Sequence, residues 1–210
     1  MKLAPAAPVQ PLTSTVLSGL AALALAAPAQ AATSAYAGLS VGQTTAQVDS
    51  NEICPAFGDI QCNIDDSDTG FKLFVGAKLS SNFALEAGFA DLGEVRMTGV
   101  DSVFGNSSTT TEASALFAAA RGIIPVGPDF SLFGKLGAHL WMADWSLTST
   151  TLSGSDDADG AGFLFGLGGS VTFGNVEVRG EWERFADIGD IVSTDEGDFD
   201  LMSIGVILNF

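Results

Sequence analysis

The sequence predicts an all-β fold: an eight-stranded antiparallel up-and-down transmembrane β-barrel with short periplasmic turns and long extracellular loops. Three observations predict it. The chain ends on a strand pattern, with Met202, Ile204, Val206, Leu208 and Phe210 alternating against Leu201, Ser203, Gly205, Ile207 and Asn209. Final residues of soluble domains usually fray, whereas a barrel in lipid must pair its last strand with its first to leave no open edge. Eight segments with a two-residue hydrophobic period follow one another from residue 35 onward. The connections between them alternate short and long, which a soluble sandwich has no reason to do.

In chain order the segments are Ala35–Val48, Gly70–Leu79, Phe83–Leu92, Ala113–Ile124, Phe130–Trp141, Gly162–Phe173, Val176–Phe185 and Asp200–Phe210. Each is long enough to be a tilted membrane strand of about 9–11 residues. An even number puts both termini of the chain on the periplasmic side. Ser80-Ser81-Asn82, Pro125 to Asp129 and Gly174-Asn175 are the tight turns. The stretches 49–69, 93–111, 142–161 and 186–199, rich in Asp, Ser, Thr and Gly, are the expected outer loops.

The termini carry targeting information. Lys2 is the only charge in the first 48 residues, Val16 to Ala27 is apolar, and Ala29-Gln30-Ala31 gives a small-x-small cleavage site. Residues 1–31 therefore read as a cleaved signal peptide, with an apolar stretch too short to span a bilayer. Residues 32–210 form the mature barrel. At the other end Ser203, Gly205, Leu208 and Phe210 match the spacing of the C-terminal signal read by the outer-membrane barrel-assembly machinery, which is thereby an expected partner.

Composition narrows the function classes. Beyond the signal region there is no long uncharged apolar run, so a helical membrane protein is excluded. Twenty-five glycines and fifteen phenylalanines suit small inward and aromatic outward side chains. A net charge of −17 argues against a nucleic-acid partner. Cys54 and Cys62 in an exported chain predict a local disulfide in an outer loop. Closing that short loop stabilises by about 2–3 kcal/mol on the chain-entropy account.

Alternation also assigns faces. Phe71, Leu73, Val75 and Ala77 alternate with Lys72, Phe74, Gly76 and Lys78; Leu85 and Ala87 with Glu86 and Gly88; Val176, Val178, Gly180 and Trp182 with Glu177, Arg179, Glu181 and Glu183. The apolar sets must face lipid, because a charge at the bilayer midplane costs roughly 2–4 kcal/mol. Lys72, Lys78, Arg121, Lys135 and Arg179 then point inward, together with Glu86, Glu181 and Glu183. An eight-stranded barrel has room only for side chains, so a lumen ion-pair network of Glu86, Arg121, Lys135, Arg179 and Glu181 is expected. The alternative use of these charges is a narrow polar path for ions.

His139, the only histidine, lies on the inward set and is expected to pair with a carboxylate. No serine nucleophile accompanies it. Ser155-Asp-Asp-Ala-Asp-Gly160 lacks the first and twelfth ligands of a calcium loop, since Ser155 and Gly166 stand there. Loose cation binding by Asp65, Asp66 and Asp68, or by Asp195, Glu196 and Asp198, stays open beside a solvated acidic surface.

Taken together, Tyr36-Ala-Gly-Leu-Ser-Val-Gly42, Gly70-Phe-Lys-Leu-Phe-Val-Gly76, Asn82-Phe-Ala-Leu-Glu-Ala-Gly-Phe-Ala-Asp-Leu-Gly93, Asp129-Phe-Ser-Leu-Phe-Gly-Lys-Leu-Gly137, Val178-Arg-Gly-Glu-Trp-Glu-Arg184 and the C-terminal strand resemble the OmpA-like eight-stranded barrels of Gram-negative outer membranes, over residues 34–210. The resemblance implies that Glu86 and Arg179 form an inward acid–arginine pair and that Arg121 replaces an inward lysine. The acid that partners that lysine is missing, because Ser170 and Val171 fall there. The resemblance further implies an integral outer-membrane protein, a monomer surrounded by lipid and lipopolysaccharide. Its role is expected to be structural or surface-interactive, without catalysis, cofactor or metal. A narrow porin-like channel is the alternative, and a lipid-modifying enzyme a remote one. Because the sequence stops on the barrel, a peptidoglycan-binding domain is not expected to follow it.

Overall fold

Strict alternation commits each segment to extended backbone with two unlike faces, and ladder pairing then has to satisfy every main-chain group in the membrane. A computed structural model describes residues 34–47, 59–101, 105–150, 153–190 and 196–210. Among the described residues the elements are all strands: β1 (Ser34–Gln47), β2 (Asp59–Asp65), β3 (Ser67–Lys78), β4 (Phe83–Asp101), β5 (Gly105–Pro125), β6 (Phe130–Ser149), β7 (Ser153–Phe173), β8 (Val176–Asp190) and β9 (Glu196–Asn209). Pairing is antiparallel throughout, and β1 pairs with β9 to close the cylinder. β2 continues the line of β3: β3 pairs with the turn-side half of β4 and β2 with its outer half. Counted around the wall, the barrel has eight strands.

The registers fix its shape. Stepping sideways from Ser34 through Lys78, Ala84, Arg121, Lys135, Gly166, Glu183 and Leu201 returns to β1 at Thr44. That ten-residue displacement over eight strands tilts them by about 40° and leaves an interior filled by side chains.

The outward face is apolar where lipid lies. On β9, Met202 and Ile204 are 68% and 62% exposed, while Leu201 and Ile207 on the opposite face of the strand are fully buried. Exposed Phe83, Phe130, Phe173 and Phe210 each stand at the turn-side end of a strand. The ring pairs Phe71–Phe89 and Phe165–Trp182 stand further out. Two aromatic levels bounding an apolar band are what the two interfaces of a bilayer select. On the turn side, Gly174 takes φ of 63° at the first position of its two-residue loop, as a type II′ hairpin requires.

The outer connections are shorter than the sequence implies. Much of the polar stretch 93–111 is β4 and β5, which stay paired out to Asp101 and Gly105. Much of 142–161 is β6 and β7, paired out to Thr148 and Ser153. Residues 59–65, expected in a loop, form β2. Hydrophobic periodicity marks only lipid-embedded lengths; ladder hydrogen bonds carry the strands beyond the membrane, where polar side chains on both faces erase the period. A bulge in β4 sets Leu92 and Gly93 opposite Ala113 alone. Gly93 has φ of 75° there, and Asp68 accepts from the Glu94 N–H at 2.8 Å. The signal segment 1–31 and Cys54 lie outside the described residues.

Candidate functional site: the barrel lumen

Inward positions near the turn-side end carry the charge. Four cations, Lys72, Arg121, Lys135 and Arg179, face four acids, Glu86, Glu177, Glu181 and Glu183, and all eight are buried. Arg179 Nη1 donates to Glu86 Oε1 at 2.7 Å, and Lys135 Nζ lies 2.8 Å from Glu86 Oε2. Lys135 also donates to Glu181 and Glu183 at 3.0 and 2.8 Å. Lys72 bonds to the same two acids from the opposite wall. Lys78, half-buried at the rim, donates to Asn209 Oδ1 at 2.7 Å.

Aromatic rings fill the spaces between charges. Phe74 and Phe117 lie beside Lys72, and the Arg121 guanidinium sits 4.1 Å from the Phe133 centroid. Such contacts favour a desolvated cation. Glycine makes the rings fit: a Cβ on Gly76 would fall 2.1 Å from the Tyr36 ring. Lying over Gly76, Tyr36 reaches across the neighbouring strand and donates its hydroxyl to Glu86 at 2.8 Å.

Outward from the charges the inward residues turn apolar. Along β8 the inward order is Glu177, Arg179, Glu181, Glu183, then Phe185; along β9 it is Gly205, Ser203, then Leu201 and Phe199. Leu92, Phe117, Leu164, Phe185, Phe199 and Leu201 are all buried in that level. Apolar side chains thus predominate in the interior above the ion pairs, with Thr44 and His139 buried among them.

The structure brings Glu86, Arg121, Lys135, Arg179 and Glu181 into one cluster. It corrects the missing acid: Glu177 Oε1 lies 3.0 Å from Arg121 Nη2, so the partner comes from β8 while Ser170 stands at 3.5 Å. Alternation places Glu177 on the inward face but not in the network, because facing across a closed barrel is invisible along one strand. Tyr36 was missed for the same reason. A second correction concerns His139. Its Nε2 meets the Ala186 carbonyl at 2.9 Å, not a carboxylate, and its ring stands edge-on to Phe185. The β7–β8 ladder stops at Leu164↔Phe185 and a bulge follows in β8, which leaves the Ala186 carbonyl without a strand partner.

Ser203 and Gly205 face the lumen, while Leu208 and Phe210 face lipid. Cys62 is on β2, but its expected partner Cys54 is outside the described residues. Asp68 holds the β4 bulge, and Asp198 and Asp200 pair with Arg184 at 3.3 and 2.7 Å. Among the described residues no three His, Cys, Asp or Glu side chains converge as metal ligands.

A family profile described as "Outer membrane protein beta-barrel domain" matches residues 15–210. The fold is similar to the crystal structure of Neisserial surface protein A, with 16% identity, a TM-score of 0.52 and coverage of 84% of this chain and 97% of that one. It is also similar to Ail, the attachment invasion locus protein of Yersinia pestis, crystallised with the heparin analogue sucrose octasulfate. There the identity is 15%, the TM-score 0.50 and the coverage 84% of this chain and 99% of that one. At such identities the likeness speaks for the fold alone. No curated protein matches the chain. The matched family, the closed β1–β9 seam and the apolar belt agree: the chain belongs to the outer membrane β-barrel family and is an integral protein of the Gram-negative outer membrane.

Proposed function

We propose that this protein is a closed, non-catalytic barrel with a structural or surface-interaction role, its lumen plugged and its chemistry presented outside. The observation that carries this reading is the stacking of a balanced ion-pair cluster under an apolar layer. An ion crossing it would have to break buried pairs and then shed its water against hydrocarbon, each step costing several kcal/mol. Catalysis by His139 finds little support, because its Nε2 faces a main-chain carbonyl rather than a serine or an acid. The reading includes a monomer in lipid and lipopolysaccharide, assembly through the C-terminal strand, and a Cys54–Cys62 bond among acidic outer segments.

The narrow-channel reading draws on one feature. The hydroxyls of Ser40 and Ser203, close together on the β1–β9 wall, are buried without a hydrogen-bond partner among the described residues. A water file there would still meet the apolar layer. Single-channel recording of refolded protein in planar bilayers decides between the two. Absence of steady conductance is expected; a large and stable conductance would replace the plugged barrel with the channel.

A further inference from the structure

Above the ion pairs the lumen holds two polar side chains that the plug does not use. His139 and Trp141 take successive inward positions on β6 and are 2% and 8% exposed. Both rings lean over β7, where glycine makes room. A Cβ on Gly160 would stand 2.5 Å from the Trp141 ring, and one on Gly162 2.8 Å from His139 Nε2. The Ala186 carbonyl can only accept, so Nε2 carries the hydrogen of the neutral imidazole and donates it. Nδ1 is then a bare acceptor, whereas the Trp141 indole N–H can only donate. Neither atom has a hydrogen-bond partner among the described residues.

The side chains around them offer none. Phe117, Ala115, Ala143 and Phe185 are the inward neighbours on β5, β6 and β8, all buried and apolar. The Thr44 hydroxyl donates to the Asp68 carbonyl, and Asp187 in the β8 bulge bonds to neither ring. A donor and an acceptor side by side select a group that both accepts and donates. That group is a neutral hydroxyl, because a cation would meet the indole N–H and an anion the imidazole lone pair. Two residues of strand rise set the rings roughly 6.6 Å apart. One oxygen at ordinary hydrogen-bond lengths falls short of that, and two oxygens bonded to each other span it. We propose that His139 and Trp141 form a binding site for a pair of neutral hydroxyls in the outer lumen. The Trp141 N–H donates to the first oxygen, the first hydroxyl donates to the second, and the second donates to His139 Nδ1. A vicinal diol carries two oxygens in this arrangement, and two water molecules present the same chemistry. The site stands apart from the ion-pair cluster, so a conductance result leaves it untouched.

The test is NMR of the full refolded protein in nanodiscs, read at the Trp141 indole N–H. Comparison with Trp141→Phe assigns that signal among the three indoles. In buffer alone it should show a cross-peak to long-lived water. Added propane-1,2-diol should replace this with cross-peaks to its own carbon-bound protons, saturating as the site fills. A water cross-peak that diol leaves in place identifies the two oxygens as resident water, held by the same hydroxyl chemistry. A Trp141 indole with neither cross-peak would overturn the proposal. His139→Phe keeps a ring against Phe185 but removes the acceptor. It should abolish the long-lived water cross-peak and weaken diol binding about tenfold, as loss of one hydrogen bond does. Unchanged cross-peaks in that variant would also overturn the site. One reading needs no variant: the His139 Nδ1 nitrogen signal should be that of a hydrogen-bonded acceptor, and the signal of a bare one would sink the proposal.

Discussion

Glu86 accepts from Arg179 and Tyr36, and also contacts Lys135. Four cations and four acids share the interior, so removing Arg179 leaves one buried negative charge uncompensated, near Glu86 and Glu177 alike. Breaking such a pair costs about 3–5 kcal/mol. Arg179→Ala should therefore destabilise the barrel by about that much in a urea-unfolding titration. Removing both Glu86 and Arg179 keeps the remaining charges balanced and should cost clearly less than the two single changes added together. A double-mutant cycle with no coupling energy would mean that the two side chains do not share the interior. The pairs are better taken as the reason the lumen is shut than as a source of stability, since desolvation offsets much of their attraction.

The closing element is β9. It pairs with β1 along one edge and β8 along the other, so both seams depend on its register. The Phe210 N–H donates to the Ala35 carbonyl at 2.8 Å, and its ring is 76% exposed toward the turn-side interface. Deleting Phe210 should lower the yield of folded barrel in the outer membrane. The gel shift between unheated and boiled samples reads this, because a folded barrel resists detergent until heated. Native yield and an unchanged shift would show that the terminal aromatic is not used in assembly. β8 behaves differently: it leaves β7 after Phe185, and His139 then serves the carbonyl that the ladder no longer reaches.

For the molecule as a whole, charge is sorted by place. Of the seven basic residues after Lys2, five point inward; Arg96 and Arg184 point outward, and both are paired with acids. The outer surface is left acidic, which suits solubility of the exposed strands and gives no attraction for nucleic acid. An exported chain with a Cys54–Cys62 bridge should yield one cross-linked peptide in an unreduced digest of cell-envelope protein. Two thiols open to alkylation in that sample would rule the bridge out.

Alternation along each strand was legible because lipid allows only apolar side chains on one face. From it came the strand count, the tight turns, the seams at both ends of the chain, and the inward set from Lys72 to Glu183. The period vanishes where water bathes both faces, so β2 and the outer halves of β4 to β7 were invisible as strands. Facing across the barrel was invisible too. Which acid meets Arg121, which oxygen Tyr36 reaches, and which carbonyl holds His139 depend on the ten-residue displacement around the closed wall. The sequence by itself determined the membrane-embedded strands and their faces, because those follow from local periodicity in lipid. Only the tertiary structure decided the partners, because they are brought together by the closure of the barrel, which no single strand encodes.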